Sequence, residues 1–363
     1  MKKPTAERLP SGRWRARIQV DGERYSATED TKKEAQDAVL RKVVLHSETQ
    51  KRSGLTVGDA MDRYISERNG TLSPSTIKGY KVIRKNYLQD VMNVKLDDLR
   101  QSDIQVSVSF MASDGKSPKT IRNAHGLLAA VLDEFKPDLV LKTRLPQKQQ
   151  YEVTILSEED MKKVWRAAKG SEYELPILLA SWLGLRMSEI RGLRFRDIQD
   201  SKIHIHTAIV AGPDGDVEKG PKTTAGDRWI SLPCEIMQLI QKRQAEERVH
   251  RRLLYYPEPS DEDVKKEVDD MFIVPWDDQR IYKNFIRICK EAGVKPCRFH
   301  DLRHFAASEA LALGIPNKYF QGRIGHKTDN MLKNVYQHIM KKKEDEFADI
   351  IDERMRELYK EET

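Results

Sequence analysis

The spacing of apolar residues changes along this chain of 363 residues, and the changes fall at polar stretches with little period of their own. That pattern argues against one continuous core and predicts several separately packed segments, the two or three domains this length can support. In the first segment Trp14, Ala16, Ile18 and Val20 alternate with Arg13, Arg15, Arg17 and Gln19, the period-2 signature of a half-buried strand. Asp21-Gly22 reads as a hairpin turn and Tyr25 begins the return strand. Thr31-Lys32-Lys33-Glu34 has the form of a capping box opening a helix through about residue 48. Residues 1–52 are therefore expected to form a small sheet plus helix, an α+β unit.

A polar stretch from Glu48 to Gly54 reads as a linker, after which the period becomes helical. Thr56 to Arg68 is one expected helix. Ser73-Pro74 and Ser117-Pro118 each place an N-cap before a proline at the first helical position. The first introduces Ile77, Tyr80, Ile83 and Tyr87, the second Ile121, Leu128, Leu132 and Phe135, all at helical spacing. Residues 55–136 are expected to be an all-α domain. Lys136-Pro137 through Gln150 reads as a second linker.

From residue 150 to 340 the pattern is mainly α with a small sheet. Ser157 caps a helix with Met161, Val164 and Trp165, and an apolar helix from Leu175 to Leu183 delivers Arg186 just past its end. Ile203 and Ile205, and Trp229, Ile230 and Leu232, suggest two strands flanking a Gly-rich connection. Helices follow near 234–248, 281–292, 301–313, 316–324 and 329–338. After Lys341-Lys342-Lys343, a tail at 341–363 places Phe347, Ile350, Ile351, Met355 and Leu358 at helical spacing, with 9 Asp/Glu against 6 Lys/Arg.

Charge supplies the first functional indication. The net charge is +7, and residues 1–52 contribute most of it, with 13 Lys/Arg against 8 Asp/Glu. A basic chain with a row of arginines on one strand face suits a polyanionic partner, so Arg13, Arg15 and Arg17 are candidate DNA contacts. Cys234, Cys289 and Cys297 are scattered and odd in number, which predicts neither a disulfide framework nor a zinc cluster and fits a reducing cytosol. No run of about 18 apolar residues occurs, so no membrane span is expected. His204 and His206 alternate on one strand face without an acid or cysteine beside them, and no metal site is assigned.

The chemistry-bearing residues lie in the third segment. Arg186 follows Gly184 at a helix end and precedes Glu189, which is placed to hold a neighbouring group. His300 and Arg303 stand three apart and face one side of a helix, with His304 one residue further round. Gly325-His326 follows, and ten residues on stands Tyr336. Gly215 and Gly220 have the glycine spacing of a phosphate loop, but Pro221 removes a required amide donor, so no nucleotide site is assigned. Lys222 on the same hairpin is placed to protonate a leaving oxygen, with Lys219 as the competing candidate. Two arginines, a lysine, two histidines and a phenol match what a phosphodiester needs: cations for its oxygens, a proton for its leaving group and a nucleophile for its phosphorus.

Taken in order, Arg186, Lys222, His300-x-x-Arg303, Gly325-His326 and Tyr336 resemble the tyrosine recombinases, in particular the integrases of phages and conjugative transposons. The motifs cover roughly residues 150–340. Less specifically, residues 55–136 are similar to a core-site DNA-binding domain of such integrases, and residues 8–48 to their three-stranded arm-binding domain. Leu183 and Ile324 depart from the commoner threonine and leucine before the two glycines. The resemblance implies strand exchange on double-stranded DNA with no cofactor or metal. Tyr336 would form a 3′-phosphotyrosyl link and release a 5′-hydroxyl. Arg186, Arg303 and His326 would stabilise developing charge, Lys222 would act as general acid, and His300 would assist proton transfer or orient the phosphate. It further implies a homotetramer acting through a Holliday junction in the bacterial cytoplasm, with an excisionase and a DNA-bending host protein as further partners, and a tail helix docked on a neighbouring protomer. Two other readings stay open at this point. A type IB topoisomerase would share the chemistry but relax supercoils rather than form junctions. A non-catalytic DNA-binding protein would trap no covalent adduct.

Overall fold

The computed structural model describes residues 3–20, 22–52, 54–148, 156–221, 226–255, 259–325, 351 and 353–356, without side chains at 45–52. The chain forms two compact units, Met1–Gln149 and Gln150–Thr363.

The first unit begins with strands β1 (Thr5–Arg8), β2 (Trp14–Val20) and β3 (Glu23–Glu29), an antiparallel sheet in the order β1-β2-β3. Val20 pairs with Glu23, leaving two residues for the turn, and Gly22 there has φ +88, which glycine adopts at no steric cost. The apolar face of β2 and β3 buries Ala16 and Ala27 against Ala35 and Val39 of α1 (Lys32–Arg52). Thr31 caps that helix: its hydroxyl accepts from the Glu34 amide at 3.2 Å and donates to the Glu34 carboxylate at 2.8 Å. The helix runs on to Arg52, so the stretch expected as a linker from Glu48 is helical for its first five residues. Nothing between residues 48 and 52 breaks a helix: the residues there are Glu, Thr, Gln, Lys and Arg, and the first glycine is Gly54.

Five further helices complete this unit: α2 (Val57–Glu67), α3 (Pro74–Asn86), α4 (Gln89–Met92), α5 (Gln101–Ser113) and α6 (Pro118–Phe135). Thr56, Ser73 and Ser117 cap α2, α3 and α6, the last two with proline in the first turn. Met61, Ile77, Ile104, Ile121, Leu128 and Leu132 form the fully buried centre. The second expected linker is strapped to this core instead of running free. Leu139, Leu141 and Leu145 pack against it, Arg122 Nη2 donates to the Pro146 carbonyl at 2.7 Å, and Gln105 accepts the Arg144 amide at 2.8 Å. Three leucines spaced irregularly carry no period, so this packing is invisible to periodicity alone.

The second unit runs α7 (Glu158–Ala168), α8 (Glu174–Leu183) and α9 (Met187–Gly192), then a short 3₁₀ turn (Phe195–Asp197). Strands β4 (Ile198–Gln199), β5 (Lys202–Ile205), β6 (Ala208–Gly212), β7 (Gly215–Lys219) and β8 (Arg228–Ser231) follow. Helices α10 (Cys234–Leu254), α11 (Asp261–Asp269), α12 (Asp278–Glu291), α13 (Asp301–Ala312) and α14 (Asn317–Ile324) close the described part. β4, β5 and β8 form one antiparallel sheet in the order β4-β5-β8, while the Gly-rich connection folds into a separate hairpin, β6-β7. Gly215–Lys219 is thus a strand of a hairpin, not a phosphate loop. Helix α11 has no counterpart in the sequence reading, since only Val264 and Val268 mark its buried side. The expected helix near 329–338 and nearly all of the tail lie outside the described residues. Ile351 and residues 353–356 are helical, and Ile351 and Met355 are exposed. No helix among the described residues is long and apolar enough to cross a membrane.

Candidate active site

The site is built where three helix ends meet. Helix α8 stops because Gly184 takes the left-handed conformation (φ +64), which turns the chain and makes Arg186 the N-cap of α9. Glu189, in the first turn of α9, closes a capping box around it. Its carboxylate accepts the Arg186 amide at 2.9 Å and the Arg186 guanidinium at 2.6 Å. The Arg186 side chain remains 35% exposed, so a cation is held in a fixed direction at the surface of the site.

Helix α13 packs against α8 and carries Arg303 into the interior. Arg303 is fully buried, and its two terminal nitrogens donate to backbone carbonyls, one to Gly184 and one to Ile324, the latter at 2.6 Å. Burial, then the neighbouring Arg186 charge, draws its pKa down to about 9, so it stays cationic at neutral pH. Among the described residues its Nε has no partner.

His300 stands at the N-cap of α13. The residue keeps an exposed side, yet the protein packed around its ring, followed by the charge of Arg303, pushes its pKa down to about 4. It is therefore a neutral imidazole near neutral pH. Its ring meets that of His304 edge-on, with centroids 5.7 Å apart. His304 is buried, and desolvation lowers its pKa as well.

Helix α14 supplies the third end. Gly325 closes it in the left-handed conformation (φ +65), and its carbonyl accepts from Arg186 Nη2 at 3.3 Å. The two arginines thus grip consecutive carbonyls, Ile324 and Gly325, immediately before His326. Gly184 must be glycine for a second reason, because a Cβ there would lie 2.8 Å from Ile324 Cγ2. His326, Lys222 and Tyr336 lie outside the described residues. Of the competing candidates, Lys219 ends β7 and is half-buried, and Tyr319 on α14 is 66% exposed.

One site residue was not singled out from sequence. Arg228 at the start of β8 is buried, and its guanidinium bridges to both oxygens of Glu189, at 3.1 and 3.4 Å. Burial alone would raise the Glu189 pKa, but Arg228 and then Arg186 outweigh it and hold the carboxyl below its usual range. The signal was present: Arg228 is in phase with Ile230 and Leu232 on the inward side of the strand, where an apolar residue is expected.

His204 and His206 do not converge on a common ligand set. Each hydrogen-bonds its own carboxylate, His204 to Asp227 at 2.6 Å and His206 to Asp197 at 3.0 Å. The His204 ring stacks on Trp229, 4.5 Å between centroids. No group of three or more His, Cys, Asp or Glu among the described residues is arranged to hold a metal.

In the first unit, the arginine row is partly neutralised. Arg13 pairs with Asp30 at 2.9 Å and with Glu29 at 3.8 Å, and Arg17 pairs with Glu7 at 3.1 Å. Arg15 and Arg17 lie on β2, whereas Arg13 precedes it. All these pairs are solvent-exposed, where such an interaction is worth little and a phosphate can replace the carboxylate.

Comparison with known proteins bears on the whole arrangement. Residues 154–343 match the phage integrase family. A tyrosine recombinase XerC-like protein of Caldanaerobacter subterraneus subsp. tengcongensis is 25% identical over 79% of this chain and 80% of its own length. The ICEBs1 integrase of Bacillus subtilis is 21% identical over 92% of this chain and 94% of its own. Among solved structures, the Tn1549 transposon integrase in complex with transposon right end DNA superposes with a TM-score of 0.59 at 20% identity, covering 79% of this chain and 99% of that one. A lambda integrase tetramer bound to a Holliday junction gives 0.56 at 16%, covering 91% and 94%. A family match over more than half the chain, falling on the unit that presents Arg186, His300 and Arg303 together, places this protein in the phage integrase family as a tyrosine recombinase, an enzyme of site-specific DNA recombination.

Proposed function

We propose that this protein integrates and excises a mobile element by cleaving and rejoining double-stranded DNA, with Tyr336 as nucleophile. The Tyr336 oxygen attacks the scissile phosphorus. The bond to the 5′ oxygen breaks as the 3′-phosphotyrosyl bond forms, and Lys222 gives the leaving oxygen its proton. Attack by the 5′-hydroxyl of the exchanged strand reverses the step, so the phosphoester energy is conserved and no nucleotide is consumed. Arg186, fixed and partly exposed, meets the non-bridging oxygens. Arg303 adds positive potential from behind while anchoring Gly184 and Ile324, and His326 completes the charge stabilisation. His300, neutral, orients the phosphate or accepts a proton.

The observation that carries this reading is the grip of Arg186 and Arg303 on the Gly325 and Ile324 carbonyls, which brings the chain just before His326 to the two motif arginines. In the same reading residues 1–52 bind arm sites through Arg13, Arg15 and Arg17, residues 55–136 bind the core site, residues 150–340 catalyse, and the tail at 341–363 docks on a neighbouring protomer. Four protomers act through a Holliday junction in the bacterial cytoplasm, assisted by an excisionase and a DNA-bending host protein. The likeness to the lambda integrase fold over most of the chain supports the tetramer. The test is a nicked suicide substrate. The full chain should form a covalent adduct that Tyr336→Phe abolishes while DNA affinity stays near wild type. An adduct persisting in Tyr336→Phe would overturn the assignment and direct attention to Tyr319.

A further inference from the structure

We infer that Arg228 is a positioning residue for strand cleavage: it fixes the Arg186 guanidinium through Glu189 and ties it to the backbone that leads from Lys222 and to the backbone that leads into His326. The inference rests on the function proposed above.

Four hydrogen bonds carry it. Arg228 Nη2 donates to Glu189 Oε2 at 3.1 Å and Nη1 to Oε1 at 3.4 Å. Nη1 also donates to the Gly226 carbonyl at 3.1 Å, and Nε to the Arg323 carbonyl at 2.6 Å. Gly226 stands four residues after Lys222, and Arg323 three before His326. The same Glu189 oxygens hold Arg186, Oε1 by its guanidinium and Oε2 by its backbone amide. One rigid fork therefore joins β8 to α9, to α14 and to the Gly226 backbone, which a lysine could not do.

Stability is a poor explanation for this residue. A buried ion pair gains little over an apolar side chain of similar size, because desolvating two charges offsets their attraction. Ile230 and Leu232, on the same side of the strand, show that an apolar residue would suit the position. Without Arg228, Glu189 keeps one full partner, Arg186, with Arg303 as the other nearby charge, inside a site that penalises its charge. Protonated, Glu189 would release the guanidinium it aims.

The experiment compares the full chain with Arg228→Met, Arg228→Lys, Glu189→Gln and the Arg228→Met/Glu189→Gln double variant. It reads single-turnover adduct formation on the nicked substrate at saturating protein, alongside core-site affinity and thermal melting. Misdirecting Arg186 is expected to slow adduct formation by about 10²-fold in Arg228→Met, with DNA affinity near that of wild type. The rate relative to wild type should fall further as the pH is lowered, because the variant loses the larger of the two charges that hold Glu189 ionised against its burial. In the double variant that extra pH slope should vanish and the two losses should not add, since both act through one carboxylate. Arg228→Lys keeps a charge beside Glu189 but not the fork, so it should lose rate with little added slope, and it carries the comparison if Arg228→Met does not fold. A wild-type rate and slope in Arg228→Met, or a wild-type rate in Arg228→Lys where only that folds, would overturn the inference. So would losses that merely track melting temperature and DNA affinity. Absence of adduct in the wild-type chain would overturn the proposed function as well, which separates the two failures.

Discussion

Replacing Gly184 by alanine tests whether the site is held together as described. Two costs follow from the geometry. Alanine must adopt φ +64, which costs about 1 kcal/mol for a residue with a Cβ. The new Cβ would lie 2.8 Å from Ile324 Cγ2, well inside van der Waals contact, and Ile324 is fully buried with little room to turn. Overpacking of that kind costs about 1–3 kcal/mol, so the total is about 2–4 kcal/mol. For a unit of this size that is a fall in melting temperature of roughly 4–16 °C. The disturbance is functional too, because Ile324 must move and its carbonyl is held by Arg303, with Gly325 on Arg186 next to it. A displacement approaching an ångström there should slow adduct formation by about 10²-fold. Thermal melting of the full chain, paired with single-turnover cleavage, reads both effects. Gly126→Ala is the control, since a Cβ on that helical glycine of α6 meets nothing within 4 Å; it should be neutral or stabilising by up to about 1 kcal/mol. Should Gly184→Ala cost less than about 0.5 kcal/mol, or leave cleavage unchanged, the packing argument fails.

Lys222→Ala should slow cleavage by roughly 10²–10⁴-fold on ordinary DNA and recover on a 5′-bridging phosphorothiolate, whose sulfur leaves without a proton. Recovery of Lys219→Ala instead would move the general acid to the end of β7. Deleting residues 1–52 should abolish arm-site binding and spare core-site cleavage, and the lost binding should be strongly salt-dependent; equal losses at both kinds of site would argue for one continuous surface. NMR titration of His300 should give a pKa near 4, below the ordinary 6.5. The sign follows from linkage. The unfolded chain takes up the proton first, so this residue's contribution to stability is complete above about pH 6.5 and declines as pH falls towards 4. A measured value at or above 6.5 would show that His300 is not crowded as described.

Local chemistry made much of this protein legible in its sequence. Thr31, Ser73, Ser117 and Ser157 cap the helices they announce, and the alternation around Trp14–Val20 is a strand, because caps and periods depend on neighbours a few residues away. Helix α11 and the strap after α6 were missed for the converse reason: two valines and three leucines acquire meaning only from the core they cover. The motif Arg186, His300 and Arg303 was likewise readable as a set, since the order of residue types is a property of the chain.

What the sequence could not decide is which groups touch. Arg303 reads as a phosphate ligand, but the fold buries it and commits its terminal nitrogens to the Gly184 and Ile324 carbonyls, leaving Arg186 as the partly exposed cation. Arg228 reads as one polar residue in a strand, and only the meeting of β8, α9 and α14 turns it into the partner of Glu189. Residue types and their order determined the chemistry available. Directions and partners came from contacts between residues as far apart as 184 and 303, because a charge desolvated in the interior is fixed by whatever the fold brings within hydrogen-bonding distance of it.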